Sequence, residues 1–237
     1  MSTNPEFDLI KTIFSNGDLE LKGQFMLGSN YTFLVDVTYE NETYPAVYKP
    51  KRGEQPLWDF PESSLAHREV AAYLISESLG LHIVPFTILR ADGPYGAGSL
   101  QQFIDYDPEY HYFNFSLEDK QLLKPVVLFD LLINNADRKG GHVFFENETR
   151  KLFAIDHGIC FHEDDKLRTV LWDFSGQQIP DDLLARLTLS PSLLADLEPH
   201  LSPNEIAALC NRAESILKRG TFPRQPRDRR AMPWPPL

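Results

Sequence analysis

The chain has 237 residues and a formal net charge of −11, enough length for a sizeable core and too little basic surface for general nucleic-acid binding. The acidity also argues against lasting adhesion to anionic membranes, and no apolar run approaches the roughly 20 residues needed to span a bilayer. Only Cys160 and Cys210 are present, which excludes a disulfide framework and a cysteine-based zinc site. Met1 to Glu6 is polar and acidic, without the pattern of a secretory signal, so the sequence reads as cytoplasmic and free of stable membrane insertion.

In chain order, residues 1–17 predict a short amphipathic helix through Phe7, Leu9, Ile10, Ile13 and Phe14. From 19 to 50 the alternation becomes that of strands, with Tyr31 to Val37 and Tyr44 to Lys49 the clearest, joined by turns at Gly28-Ser29-Asn30 and Glu40-Asn41-Glu42. Residues 50–62 form a loop rich in Pro and charge. A helix is expected from Ser63 or Ser64 to Gly80, then strands over 83–89 and 99–104. The Tyr-, Asp- and Pro-dense stretch 105–113 is the expected boundary. Beyond it lie a helix from Ser116 to Ile133 that Pro125 could kink, a β-hairpin, and helices near 180–188, 190–198 and 202–218. Residues 219–237, rich in Pro and Arg, read as an extended or mobile tail.

The fold class expected is α+β: a β-rich lobe (1–104) with one helix, a mainly helical lobe (105–218), and the tail (219–237). Ligand sites favour clefts between lobes.

The densest chemistry lies at Asn134 to His142 and at Ile155-Asp156-His157-Gly158. Between them, apolar runs flank a five-residue polar connection, Asn147 to Lys151. Symmetric pairing would set 146 opposite 152, 144 opposite 154 and His142 opposite Asp156, close enough to share a metal ion. A slip of one residue would put the pair on opposite faces. Asp137 opens a turn with two glycines and could take a proton from a substrate hydroxyl, although a solvated turn would look the same. Arg138 and Lys139 beside it would favour its ionised form and could contact phosphate.

Upstream, Lys49 ends a strand and Glu69 lies inside the next helix; such a pair can position a cation for nucleotide phosphates. The plain alternatives are a surface lysine, and a glutamate paired locally with Arg68. Gly28-Ser29-Asn30 could offer backbone N–H groups to an anion or be an ordinary hairpin turn. His142, His157 and His162 with Asp164 and Asp165 also admit a hydrolytic metal centre.

Taken in order, these residues resemble the protein-kinase-like superfamily, in its atypical branch of phosphoinositide kinases and HipA-type kinases. The run Lys166 to Trp172 is similar to type II phosphatidylinositol 4-kinases. Tyr48-Lys49-Pro50, Trp58-Asp59-Phe60-Pro61, Arg68 to Tyr73 and Asn134 to His142 resemble a bacterial family of phosphatidylinositol 3-/4-kinase-like proteins. The resemblance covers roughly residues 20–215. It implies a bilobal kinase fold that uses ATP with Mg²⁺ or Mn²⁺. Lys49 would contact the phosphates, oriented by Glu69. Gly28, Ser29 and Asn30 would cover the phosphates, and Gln101, Gln102 and Phe103 would lie at the adenine hinge. Asp137, with Arg138, would be catalytic, and His142 and Asp156 would hold metal. His142 stands where the family has an asparagine, and imidazole suits softer divalent ions than Mg²⁺. The family name points to an inositol lipid as acceptor, but the acidic sequence, without a basic membrane-facing region, leads us to expect a protein or small-molecule hydroxyl instead. The rivals are a nucleotide-binding pseudokinase, an AMP transferase of the same fold, and the hydrolase.

Overall fold

A computed structural model describes residues 5–25 and 31–237. The chain divides into two compact units, Met1–Val70 with Phe86–Phe103, and Ala71–Pro85 with Ile104–Leu237.

The first unit is a five-stranded antiparallel sheet in the order β1-β2-β3-β5-β4. Its strands are β1 (Asp18–Phe25), β2 (Thr32–Tyr39), β3 (Glu42–Pro50), β4 (Thr87–Gly93) and β5 (Gly96–Gln102). Phe33, Val35 and Val37 alternate onto the buried face of β2, and Ala46, Tyr48 and Leu100 continue it across β3 and β5. The leading helix α1 (Pro5–Asn16) seals one side through Ile13 and Phe14, with Phe14 meeting Phe86 edge-on at 5.5 Å. Buried Arg90 holds the end of α1: its Nη1 donates to the carbonyls of Phe14 (2.7 Å) and Gly17 (3.0 Å), which the helix leaves unpaired. Gly17 itself is required there, since a Cβ would lie 2.7 Å from Val37 and 2.8 Å from the Ile13 carbonyl.

Helix α2 (Leu65–Ser78) starts where the serines predict, but its cap is remote. The Glu54 carboxylate accepts from the backbone N–H of Leu65 (3.1 Å) and Ala66 (2.9 Å), while the Ser64 hydroxyl donates back to Pro61 O. A carboxylate is favoured at that end by the helix dipole.

In the second unit, Pro125 breaks the expected long helix rather than kinking it. It occupies the first turn of a new one, giving α3 (Leu117–Gln121) and α4 (Lys124–Ile133). Val126 to Ile133 are all buried, so α4 is the axis of this core. Asn134 ends it in a left-handed conformation (φ 56°), and its side chain ties down the later loop. Its Nδ2 donates to His162 O and Asp164 O, and its Oδ1 accepts from Lys166 N. The hairpin β6 (Val143–Phe145) and β7 (Leu152–Ala154) follows, then α5 (Asp181–Leu184), α6 (Pro191–Leu197) and α7 (Pro203–Arg219). The last opens with a capping box of Ser202 and Glu205.

The tail is extended but not loose. Phe222 and Ala231 are buried, Ala231 O accepts from Thr169 N at 3.1 Å, and Pro236 O accepts from Gly140 N at 2.8 Å. Among the described residues no helix is long and apolar enough to cross a membrane.

Candidate functional site

In the first unit the Lys49 Nζ donates to Glu69 Oε1 at 2.7 Å, and the side chains are 19% and 5% exposed. Lys49 sits near the end of β3, and Glu69 one turn into α2. Arg68, its neighbour in the helix, lies over the Phe60 ring and bonds the Ser64 hydroxyl. Gln101 is turned into the sheet, its amide donating to Thr87 Oγ1 at 2.9 Å. The backbone N–H groups of Gln102 and Phe103 bond Phe86 O and Pro45 O, and the chain passes into the second unit after Phe103. Gly28, Ser29 and Asn30 lie outside the described residues.

In the second unit, Asn135 to Arg138 run beside residues 168–170 as a short parallel bridge. Arg168 N donates to Asn135 O, Arg138 N to Arg168 O, and Val170 N to Arg138 O. Asp137 follows an Asx-type turn in which Asn135 Oδ1 accepts its N–H at 2.9 Å. Its carboxylate is 3.7 Å from the Lys139 ammonium and 31% exposed. Burial raises its pKa above the usual carboxylate range; Lys139 and Arg138 pull it back and Asp156 pushes it up further.

Arg138 does not reach outward to phosphate. It is fully buried, and all five of its N–H donors are spent. Nε and Nη2 bond both oxygens of Asp130 at 2.9 Å, Nη1 bonds His142 O (3.2 Å) and Ile155 O (2.7 Å), and Nη2 also meets His157 Nε2 at 2.8 Å. Since arginine has no acceptor, that imidazole nitrogen accepts. Asn135 Nδ2 adds a third donor to Asp130. One guanidinium thus fastens α4, the Asp137 loop and the Asp156 turn together. The spacing of residues did not reveal this hub. The available signal was Asp130, a lone carboxylate inside the apolar run Leu128 to Ile133, where a buried charge demands a partner.

The hairpin register differs from the symmetric one expected. Val143 pairs with Ala154, Phe144 with Phe153 and Phe145 with Leu152, and Glu146 N bonds Lys151 O. The connection is therefore four residues, closed by Arg150 in a left-handed conformation (φ 59°). That register sets His142 against Ile155, whose N–H it accepts at 3.0 Å. The one-residue slip should have parted His142 from Asp156. It does not, because Asp156 has φ 60° and leaves the strand geometry, so that its carboxylate swings back to His142 Nε2 at 3.1 Å. For a non-glycine residue that conformation costs of order 1–2 kcal/mol, and it is here that the cost has a use. His142 Nδ1 faces the Lys139 N–H at 3.4 Å.

A divalent cation of kinase type fits this donor set. An imidazole nitrogen and a carboxylate oxygen lie 3.1 Å apart, with Asp137 close enough to feel the Asp156 charge. With an imidazole among the donors the set suits Mn²⁺ better than Mg²⁺. The three-ligand cluster of a hydrolytic centre is not assembled: among the described residues no group of three or more His, Cys, Asp or Glu is gathered for a metal.

Comparison with known proteins bears on the family and the fold. A family model for phosphatidylinositol 3- and 4-kinase matches residues 63–217. Protein Rv2133c of Mycobacterium tuberculosis is 35% identical over an alignment that covers 94% of each chain. The Helicobacter pylori proinflammatory kinase CtkA superposes with a TM-score of 0.55 at 15% identity, covering 88% of this chain and 94% of its own. The golgi casein kinase gives 0.59 at 16% identity, over 92% of this chain and 75% of its own. At such identities the two structures show the fold alone, and it is the mixed α+β kinase-like fold that the sequence led us to expect.

Proposed function

The chain belongs to the phosphatidylinositol 3- and 4-kinase family, and from that premise we propose that it transfers the γ-phosphoryl group of ATP to a hydroxyl of a protein or small molecule in the cytoplasm. The observation that supports this most is the Lys49–Glu69 ion pair: a strand cation held at 2.7 Å by a buried helix carboxylate while part of its own side chain stays open.

In this reading Lys49 neutralises the α- and β-phosphates and Glu69 fixes where it points. Asp137 accepts the proton of the acceptor hydroxyl as that oxygen bonds to the γ-phosphorus. The bond from the γ-phosphorus to its bridging oxygen breaks, and ADP leaves with the electron pair. Burial makes Asp137 a stronger base than an exposed carboxylate, while Lys139 at 3.7 Å favours its ionised form. His142 and Asp156 would hold the divalent ion, whose chemistry is to neutralise phosphate charge. Arg138 acts through others: it positions the Asp137 loop and the Asp156 turn on α4. Positioning and charge neutralisation dominate catalysis of this kind.

A protein or small-molecule acceptor is favoured over an inositol lipid, because a chain of net charge −11 offers little attraction to an anionic surface. A second reading, a nucleotide-binding regulator without transfer, is favoured by His142, which replaces the amide side chain of the family pattern and engages Asp156 directly.

Incubation with α- or γ-labelled ATP and Mg²⁺ or Mn²⁺, alongside Asp137→Asn and Asp156→Asn, tests the reading. Label from the γ position alone, lost in both variants, is the expected result. Label from the α position would mean AMP transfer, ATP binding without transfer would favour the regulator, and no ATP binding would overturn the kinase reading.

A further inference from the structure

Away from these residues the second unit contains a cavity of about 500 Å³, walled by α7, the loop after the Asp156 turn and the chain that follows α7. Four arginines line it, Arg212, Arg219, Arg224 and Arg229, against two acidic residues, Glu163 and Asp165. On a chain with a net charge of −11 such a gathering of cations runs against the overall composition. Among the described residues only Arg229 is paired there, with Asp165 at 2.8 Å.

Arg212 is the informative member. Its Nε donates to Leu132 O at 2.8 Å and its Nη1 to His162 O at 3.1 Å, which locks the guanidinium plane. Its Nη2 is buried and has no hydrogen-bond partner. An unsatisfied buried donor is costly, and more so when the group is charged. Burial lowers the pKa of Arg212 to about 10, which still leaves it cationic at neutral pH. Arg219 and Arg224 are exposed side chains at the same wall and, among the described residues, form neither an ion pair nor a hydrogen bond.

We propose that this cavity is a binding site for a phosphate-bearing small molecule. Arg212 would supply a fixed positive charge in the wall, and Arg219 and Arg224 would close on the anion from the open side. Guanidinium groups match phosphate oxygens with paired, charge-assisted hydrogen bonds. The volume exceeds that of one phosphate and suits a ligand of sugar-phosphate size, with the Trp172 ring as its apolar wall. None of Lys49, Asp137, His142 or Asp156 lines this cavity, so the site is separate from the nucleotide chemistry proposed above.

The test is calorimetric titration of the full chain with fructose 1,6-bisphosphate, in EDTA so that metal-assisted phosphate binding is absent. Saturable binding is expected, absent with fructose. It should weaken at least tenfold in Arg219→Ser/Arg224→Ser, whose exposed and unpaired side chains leave the fold intact, and persist in Asp156→Asn. No binding at millimolar probe, or binding untouched by the double substitution, would overturn the proposal. Binding lost in Asp156→Asn would place the anion at the nucleotide residues and overturn it equally.

Discussion

The two units each carry a buried cation–carboxylate pair, and the pairs are built for different work. Arg138 with Asp130 is sealed, at 0% and 1% exposed, and every guanidinium donor is committed to the protein. Lys49 with Glu69 is anchored at the carboxylate, 5% exposed, while the lysine stays 19% open. Compact lysine and forked arginine are not interchangeable here. The fork binds three backbone segments into one rigid support, and the ammonium, held by Glu69 Oε1 at 2.7 Å, is the charge that would face a nucleotide in the proposed reading. The difference separates a scaffold from a tool, and substitutions should break the two pairs in different ways.

The largest effect is expected at the sealed pair. Asp130→Ala leaves Arg138 charged and dry, and breaking a buried pair costs about 3–5 kcal/mol. For a chain of this size that lowers Tm by roughly 6–20 °C in calorimetry. At the open pair the loss should fall on chemistry. Lys49→Met removes one preorganised charge and should lower phosphoryl transfer by about 10²–10³-fold, with a Tm change smaller than that of Asp130→Ala. Equal thermal losses in the two variants would erase the distinction between them.

The smallest effect concerns pH. Asp119 accepts from the Tyr110 hydroxyl and from Arg150 Nη2 (2.9 Å), and these contacts, the tyrosine foremost, hold its pKa below the ordinary value. A carboxylate depressed in the folded state contributes stability above its unfolded pKa of about 3.9, and loses it as pH falls through the folded value. Asp119→Asn should therefore differ from the parent in Tm near neutral pH and converge with it below the carboxylate range. A difference that grows with acidity would contradict the sign.

Fold class and the order of Lys49, Glu69, Asp137 and Asp156 could be read from the sequence, because period-2 and period-3.6 apolar patterns and turn residues are local signals. What escaped depended on geometry that residue types do not encode. A four-residue connection in place of five shifted the hairpin register, and a left-handed Asp156 undid the consequence. Pro125 could be seen, but whether it kinks or restarts a helix depends on which helical turn it occupies. The tail was read from composition alone, and composition does not show that Ala231 and Pro236 offer carbonyls to Thr169 and Gly140. The sequence offers Arg138 as a phosphate contact beside Asp137; only the burial of Asp130 eight residues earlier reverses that.

An acyl-phosphate derivative of ATP tests the central claim most directly, since it transfers its acyl group to an amine lying against the nucleotide phosphates. Peptide mapping after brief exposure should find Lys49 as the acylated residue, with excess ATP protecting it and Glu69→Gln slowing it. Acylation spread over other lysines, with no protection by ATP, would contradict the account.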